Sequence, residues 1–149
     1  GGQEVGLLRA IHVDRLVDST YETVAPDSPI AEVRKKLVHA PWGELFVVDD
    51  DGRLAGTITF HDLSEAAFDH SEDNTLTARD TMRRSPSVLT LDDDLETAVK
   101  VFGASGEVHL PVVENKESLH FAGVAHEHEL MATYHRALTQ ARREERGEA

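Results

Sequence analysis

The chain has 149 residues, the size of one domain or two very small ones. It has no cysteine, which excludes a disulfide framework and any thiolate metal site. Fifteen basic residues face 28 acidic ones, a net charge of −13. That balance argues against nucleic acid as a partner, because Lys and Arg must replace the counterions there, and against contact with an anionic membrane surface. No apolar run approaches the ~20 residues of a membrane span, and there is no signal-peptide pattern. The opening Gly1-Gly2, without a Met, reads as a cut piece of a longer protein or a processed tag.

In chain order, the first β-prone piece is Glu22-Thr23-Val24. Asp27-Ser28-Pro29 then offers an N-cap and a first-turn proline to a helix with apolar spacing at Ile30, Val33 and Leu37. A strand over Leu45 to Val48 is joined by the turn Asp50-Asp51-Gly52 to a second strand. That strand runs through "GTITFHDL", Gly56 to Leu63, straight into a helix marked by Leu63, Ala66 and Ala67. The polar stretch 69–77 reads as a linker. The same order then returns. Ser87 to Thr90 is β-prone, Asp92-Asp93-Asp94 offers N-caps, and Leu95, Ala98, Val99 and Phe102 space a helix. Leu110, Val112 and Val113 form a strand, "ENKESLHFAG" a longer turn, and "GVAHEHEL", Gly123 to Leu130, a strand passing into a helix with Leu130, Met131 and Tyr134. A charged helix continues through 133–148.

The two halves align as an internal repeat. Ile30 meets Leu95, Val33 meets Ala98, Leu37 meets Phe102, Leu45 meets Leu110, and Gly56 meets Gly123. The second copy has two extra residues, and they fall in a turn, where insertions belong. Each unit is β-α-β-β-α. One such unit buries its sheet and helices poorly on its own, whereas two share a core. The fold class is therefore α+β: two pseudo-two-fold-related repeats packed sheet to sheet, with helices outside.

The stretches "TVAPDSPIAEVRKKL", "ELFVVDDDGRLAGTITFHDL", "SVLTLDDDLETAVKVF" and "HLPVV" resemble the cystathionine-β-synthase (CBS) domain, and the tandem resembles a CBS pair, or Bateman module. The resemblance covers roughly Val13 to Ala132. The flanks "GGQEVGLLRAIHVDRLV" and "TYHRALTQARREE" resemble the segments that bracket the pair in prokaryotic CLC chloride channels and transporters. The expected organisation is a linker from a missing membrane part over 1–12, a first repeat over 13–68, a linker over 69–77, a second repeat over 78–132 and a charged helical tail over 133–149. The resemblance implies a module on the cytoplasmic face of the membrane, part of a larger protein, that forms homodimers.

It also implies two ligand clefts, each mixing the two repeats, for ATP, ADP or AMP as a regulatory ligand. In the first, Asp62 holds a ribose and Thr59 meets a phosphate, joined by Val88, Leu89, Thr90, His109 and Leu110. In the second, His126 and Glu129 replace Thr59 and Asp62, joined by Thr23, Val24, Trp42 and Gly43. The chemistry suits the first joint: a carboxylate accepts two hydrogen bonds from a vicinal diol, and first-turn N–H groups favour an anion. Thr-x-x-Asp is equally close to a capping box that satisfies only the helix itself. In the second joint glutamate reaches one methylene further, and His126 binds phosphate only by donating from its ring. Trp42 stands where some CLC proteins place an aromatic beside adenine, with stacking worth about 1–3 kcal/mol; a tryptophan before a buried strand also commonly caps a core. Glu107 suits an adenine wall poorly. Arg34, Lys35, Arg83 and Arg84 are the basic candidates for phosphates, and all four also fit as solvated surface charges.

No catalytic residues are expected. There is no Cys nucleophile, no nucleophile-elbow serine and no Gly-rich phosphate loop. "AHEHEL" sets His126 and His128 two apart, a spacing that shares a face in a strand and not in a helix, and no metal site is expected from it. The competing reading is a structural, dimerising module that braces transporter subunits without a nucleotide.

Overall fold

The computed structural model describes residues 2–63, 69–71, 73 and 75–147. The expected helix positions Ala66 and Ala67, part of the 69–77 linker and the last two residues of the tail lie outside them. The α+β class holds: the described residues form two sheets with helices. They divide into two compact units, neither of them continuous in sequence. One comprises Ser19–Pro86 with Glu117–Phe121. The other comprises Gly1–Asp18, Ser87–Lys116 and Ala122–Ala149.

The first unit carries a four-stranded sheet in the order β1 (Glu22–Val24), β2 (Glu44–Val48), β3 (Leu54–Thr59), β4 (Arg83–Arg84). Strands β1 and β2 run parallel, as their connection through helix α2 (Ile30–His39) requires. The β2–β3 pair is an antiparallel hairpin. Its turn is set by Asp49, whose carboxylate accepts from the Asp51 and Arg53 N–H groups, and by Gly52 at φ +81°. Ile30, Val33 and Leu37 on α2 pack with Val24, Leu45, Val47 and Ile58, the residues whose spacing marked them. The start of α2 differs from expectation. Pro29 is itself the cap residue, and neither Asp27 nor Ser28 caps with its side chain. The Leu76 carbonyl takes the Ile30 N–H instead, and Asp27 pairs with Arg79 at 2.6 Å. Helix α3 begins at Phe60 and is described to Leu63; α4 (Ala78–Thr81) precedes β4.

Residues 117–121 join this unit through the β2–β3 turn. The Leu119 carbonyl accepts from Leu54 N–H, the Gly52 carbonyl from Phe121 N–H, and the Arg53 guanidinium donates to the carbonyls of Glu117 and Ser118. Phe121 stacks on buried Phe46 at 5.0 Å and meets Tyr21 edge-on at 4.8 Å. This is the segment in which the second repeat is two residues longer than the first.

The second unit carries a three-stranded sheet, β5 (Leu89–Thr90), β6 (His109–Val113), β7 (Phe121–His126), with β5 and β6 parallel. Strand β5 is shorter than the Ser87–Thr90 expected. Asp94 caps α5 (Leu95–Ser105) by accepting from Thr97 N–H at 2.8 Å, and Gly106 ends the helix at φ +71°. Helix α6 (Glu127–Glu145) is one continuous element that includes most of the expected charged tail; it buries Leu130, Ala137 and Ala141. The N-terminal segment is helical too: α1 (Gly2–Ala10) packs against α5 and α6, and Leu8, Val13 and Leu16 enter the core of this unit.

Candidate functional site

Thr59 ends β3, and Asp62 lies in α3. The Asp62 carboxylate is nearly enclosed, its side chain 10% exposed. Its Oδ2 accepts from the Thr59 N–H at 2.8 Å and from the Thr59 hydroxyl at 3.0 Å; its Oδ1 accepts from Arg83 Nε–H at 2.8 Å. Arg83 sits on β4, antiparallel to β3 with Arg83 opposite Thr57, and its side chain is 47% exposed. The two acceptor atoms therefore have different roles. Oδ2 closes the turn from strand to helix, and Oδ1 holds a cation at the solvent edge.

The first role is not special to this joint. Thr77 and Asp80 repeat it at the start of α4: Asp80 Oδ2 accepts from Thr77 N–H at 2.9 Å and from its hydroxyl at 3.0 Å. Those two bonds, backbone first, hold the Asp80 carboxyl below its ordinary pKa. Thr90 and Asp93 form a third, partial example, with Thr90 N–H donating to Asp93 Oδ2 at 2.8 Å. The signal is in the sequence: Thr-x-x-Asp occurs three times within 35 positions, and the second and third copies lie outside the repeat's strand-to-helix joints at 56–63 and 123–130. What sets Thr59–Asp62 apart is enclosure and the arginine.

The second repeat keeps the architecture and inverts the polarity. Gly56 and Gly123 occupy equivalent places, and both lie against a passing backbone. An added Cβ would stand 2.4 Å from the Arg83 carbonyl oxygen at Gly56, and 2.7 Å from the Asp18 carbonyl oxygen at Gly123, where φ is +147°. The chain beside β3 brings Arg83 to Asp62. The chain beside β7 brings Asp18, bridged to Val124, to His126: Nε2 to Asp18 Oδ2 is 2.8 Å. The other nitrogen of His126, Nδ1, lies 2.9 Å from Nδ1 of His109. Asp18 accepts from Nε2–H, so in the neutral pair His126 Nδ1 is the acceptor and His109 the donor. Burial first, then the His126 ring, lowers the His109 pKa, with Glu107 opposing. Both nitrogens of His126 thus have partners within the protein. No side-chain cap forms at His126, and Glu129 is exposed in the first turn of α6.

The remaining expected residues fall as follows. Thr59, Asp62, Thr23, Val24, Trp42 and Gly43 belong to the first unit; Val88, Leu89, Thr90, His109, Leu110, His126 and Glu129 belong to the second. Val24, Leu89 and Leu110 are buried core side chains, which leaves their backbones as the groups a ligand would meet. Trp42 is not a core cap: it is 48% exposed, with φ +55° followed by Gly43 at +66°. Arg34 pairs with Asp73 at 2.7 Å. Lys35 lines a surface hollow of about 430 Å³ with Glu22, Glu32, Lys36 and His39, a mixed-charge surface with no net preference for phosphate. Among the described residues no group of three or more His, Asp or Glu side chains is placed to hold a metal, and no helix is long and apolar enough to cross a membrane.

The CBS domain family matches residues 13–69 and again residues 78–136. An uncharacterized 17.7 kDa protein of Acidianus ambivalens is 26% identical over 111 residues; the match covers 74% of this chain and 66% of that protein, just under two thirds of its length. Solved structures share the fold, two of them in complex with a nucleotide. The CBS-pair protein CBSX2 of Arabidopsis thaliana, in complex with AMP, has a TM-score of 0.66 at 22% identity, covering 89% of this chain and 99% of that one. The cytosolic domain of the Mg2+ channel MgtE, in complex with ATP, has a TM-score of 0.67 at 22% identity, covering 87% of this chain and 52% of that one. Two family matches that together span most of the sequence identify the chain as a tandem pair of CBS domains and a member of the CBS domain family.

Proposed function

We propose that the chain is a non-catalytic regulatory module that binds an adenosine-type ligand, AMP, ADP or ATP, at the Thr59–Asp62 joint. The carrying observation is Asp62 itself, a nearly enclosed carboxylate in the first turn of α3 that a cap alone would not need to enclose. Its counterpart Asp80 makes the same capping bonds while exposed. The AMP and ATP complexes of two proteins of the same fold supply the ligand class. The joint with His126 and Glu129 is the weaker candidate, because His126 already has partners on both ring nitrogens.

The module acts by linkage: a ligand shifts an equilibrium only by its differential affinity for two states. We extend the reading to a chain that works as a homodimer attached to a membrane transport protein on its cytoplasmic face. MgtE is a transport protein with a domain of this fold; the choice of a chloride transporter rests on the flanking segments alone.

A competing reading, a dimerising brace without a nucleotide, is favoured by one observation: Asp62 has donors from its own chain on both oxygens. Calorimetry and thermal shift with AMP, ADP, ATP and adenosine decide between them. Ligand at 100 times its Kd should stabilise the fold by about 2.7 kcal/mol, and Asp62→Ala should remove the effect. Flat responses at millimolar nucleotide would leave only the brace.

A further inference from the structure

We propose that His109 and His126 form a proton-operated latch across the joint between β7 and α6, one that holds with no added proton or with one and opens when both rings are imidazolium. The latch lies within the second unit and does not depend on the adenosine reading.

His109 opens β6, and His126 ends β7, its neighbour in the sheet. Their Nδ1 atoms are 2.9 Å apart, with the rings nearly perpendicular at 83° and the centroids 5.0 Å apart. A bond between two imidazole nitrogens needs one N–H and one lone pair. The neutral pair has both. One added proton leaves both in place: whichever ring takes it, the Nδ1 of the other can still accept. The second proton does not. Both facing nitrogens then carry hydrogen, neither can accept, and two cations stand with centroids 5.0 Å apart. This holds whatever else either ring touches, because it concerns only the two facing nitrogens.

The surroundings admit one positive charge and resist a second. Asp18 Oδ2, 2.8 Å from His126 Nε2, supplies one negative charge to the pair. Burial, then the His126 ring, hold the His109 pKa low against Glu107 in the loop before β6. His126 is the cap residue of α6, whose first-turn N–H groups oppose a further cation. Glu127 and Glu129 in that turn offset them in part, and exposed His128 adds its own charge in acid. The contribution of the latch is therefore present at and above the ordinary imidazole value of 6.5 and is lost as pH falls through the second, lower step of the pair. What the latch holds is local. Glu127 N–H donates to the Val108 carbonyl at 2.9 Å, tying the residue after His126 to the residue before His109. Opening the rings exposes that bond and the first turn of α6.

The test is NMR on the full chain between about pH 7.5 and about pH 4.5, where histidine changes charge. Ring nitrogen shifts follow the two protons, and amide exchange, expressed as protection against the intrinsic rate, follows the joint. The rings should titrate in two separate steps. Protection of the Glu127 N–H should fall at least about ten-fold, and on the second step. The Leu91 N–H, bonded to the Val113 carbonyl at the other end of β6, should keep its protection. His109→Asn places a side-chain amide near the position of Nδ1 that donates or accepts and takes up no proton. In that variant the Glu127 protection should change by less than about three-fold over the same range. Circular dichroism shows whether the variant is folded; if it is not, the unmodified protein decides alone. A single titration step, a second step absent from this range, or Glu127 protection that falls on the first step or survives the second would overturn the latch. So would an equal loss of protection in folded His109→Asn.

Discussion

Replacing Phe121 with Ala removes a ring that holds residues 117–121 to the unit built on the first repeat. The ring makes two aromatic contacts, stacked on Phe46 at 5.0 Å with 26° between planes and edge-on to Tyr21 at 4.8 Å and 77°. Each such pair is worth about 0.5–1.5 kcal/mol beyond area burial. Phe121 is only partly buried, so the apolar transfer term lies toward the low end, about 1 kcal/mol. Together these give a loss of about 2–4 kcal/mol, or roughly 4–16 °C in Tm for a chain of this size. Urea denaturation followed by circular dichroism measures it, and an unchanged m-value shows that the folded state is as compact as before. A double-mutant cycle of Phe121→Leu with Tyr21→Leu should return a coupling of about 0.5–1.5 kcal/mol. A loss below about 1 kcal/mol with zero coupling would refute the argument: the aromatic group would then be a bystander, and the backbone bonds around Gly52 and Leu54 would hold the segment.

Gly56→Ala should destabilise by more than about 2 kcal/mol, since its Cβ would lie 2.4 Å from the Arg83 carbonyl oxygen and 2.8 Å from Met82 Sδ; thermal melts check this. Asp94→Ala removes the cap on Thr97 N–H and should cost about 1 kcal/mol in chemical denaturation. Two steps are expected when stability is followed against pH. The folded-state pKa of His109 is lowered, so its contribution is complete above the ordinary imidazole value of 6.5 and is lost as pH falls from there toward the folded value; His109→Gln should flatten that slope. The Asp94 carboxyl is also lowered, chiefly by the Thr97 backbone N–H. Its contribution is complete above the ordinary value of 3.8 and is lost as pH falls through the folded value, and in Asp94→Ala this acid loss should shrink.

Elements with strong apolar spacing were legible in the sequence. Ile30, Val33 and Leu37, and again Leu95, Ala98 and Phe102, marked two helices because burial of one face dictates that spacing. The hairpin was legible through Asp50-Asp51-Gly52. The cap on α2 was misread because the local grammar of Asp27-Ser28-Pro29 lost to a distant carbonyl, Leu76, that satisfies the same N–H. Strand β4 left no trace: Arg83 and Arg84 are exposed, and two residues carry no period. The candidate site was half legible. Thr59 and Asp62 declare themselves by spacing, whereas Arg83 reaches Asp62 from 21 positions away, and Asp18 reaches His126 from 108. Contacts of that range are fixed by topology, which equivalent Gly56 and Gly123 hinted at without naming what passes beside them.

The division of the chain bears on the order in which it is made. Because the unit containing Ser19–Pro86 also includes Glu117–Phe121, a growing chain that has emerged only to Pro86 holds strands β1 to β4 without the ring that covers Phe46. Translation must deliver another 35 residues before that surface closes. The other unit draws on residues 1–18, made before the first unit, and on residues 87–116 and 122–149, made after most of it. Its N-terminal apolar side chains Leu8, Val13 and Leu16 therefore wait for core partners that begin at Leu89. A module of two similar halves is in this sense made as one piece, and cutting its gene at the linker would yield two fragments that each lack part of their own core.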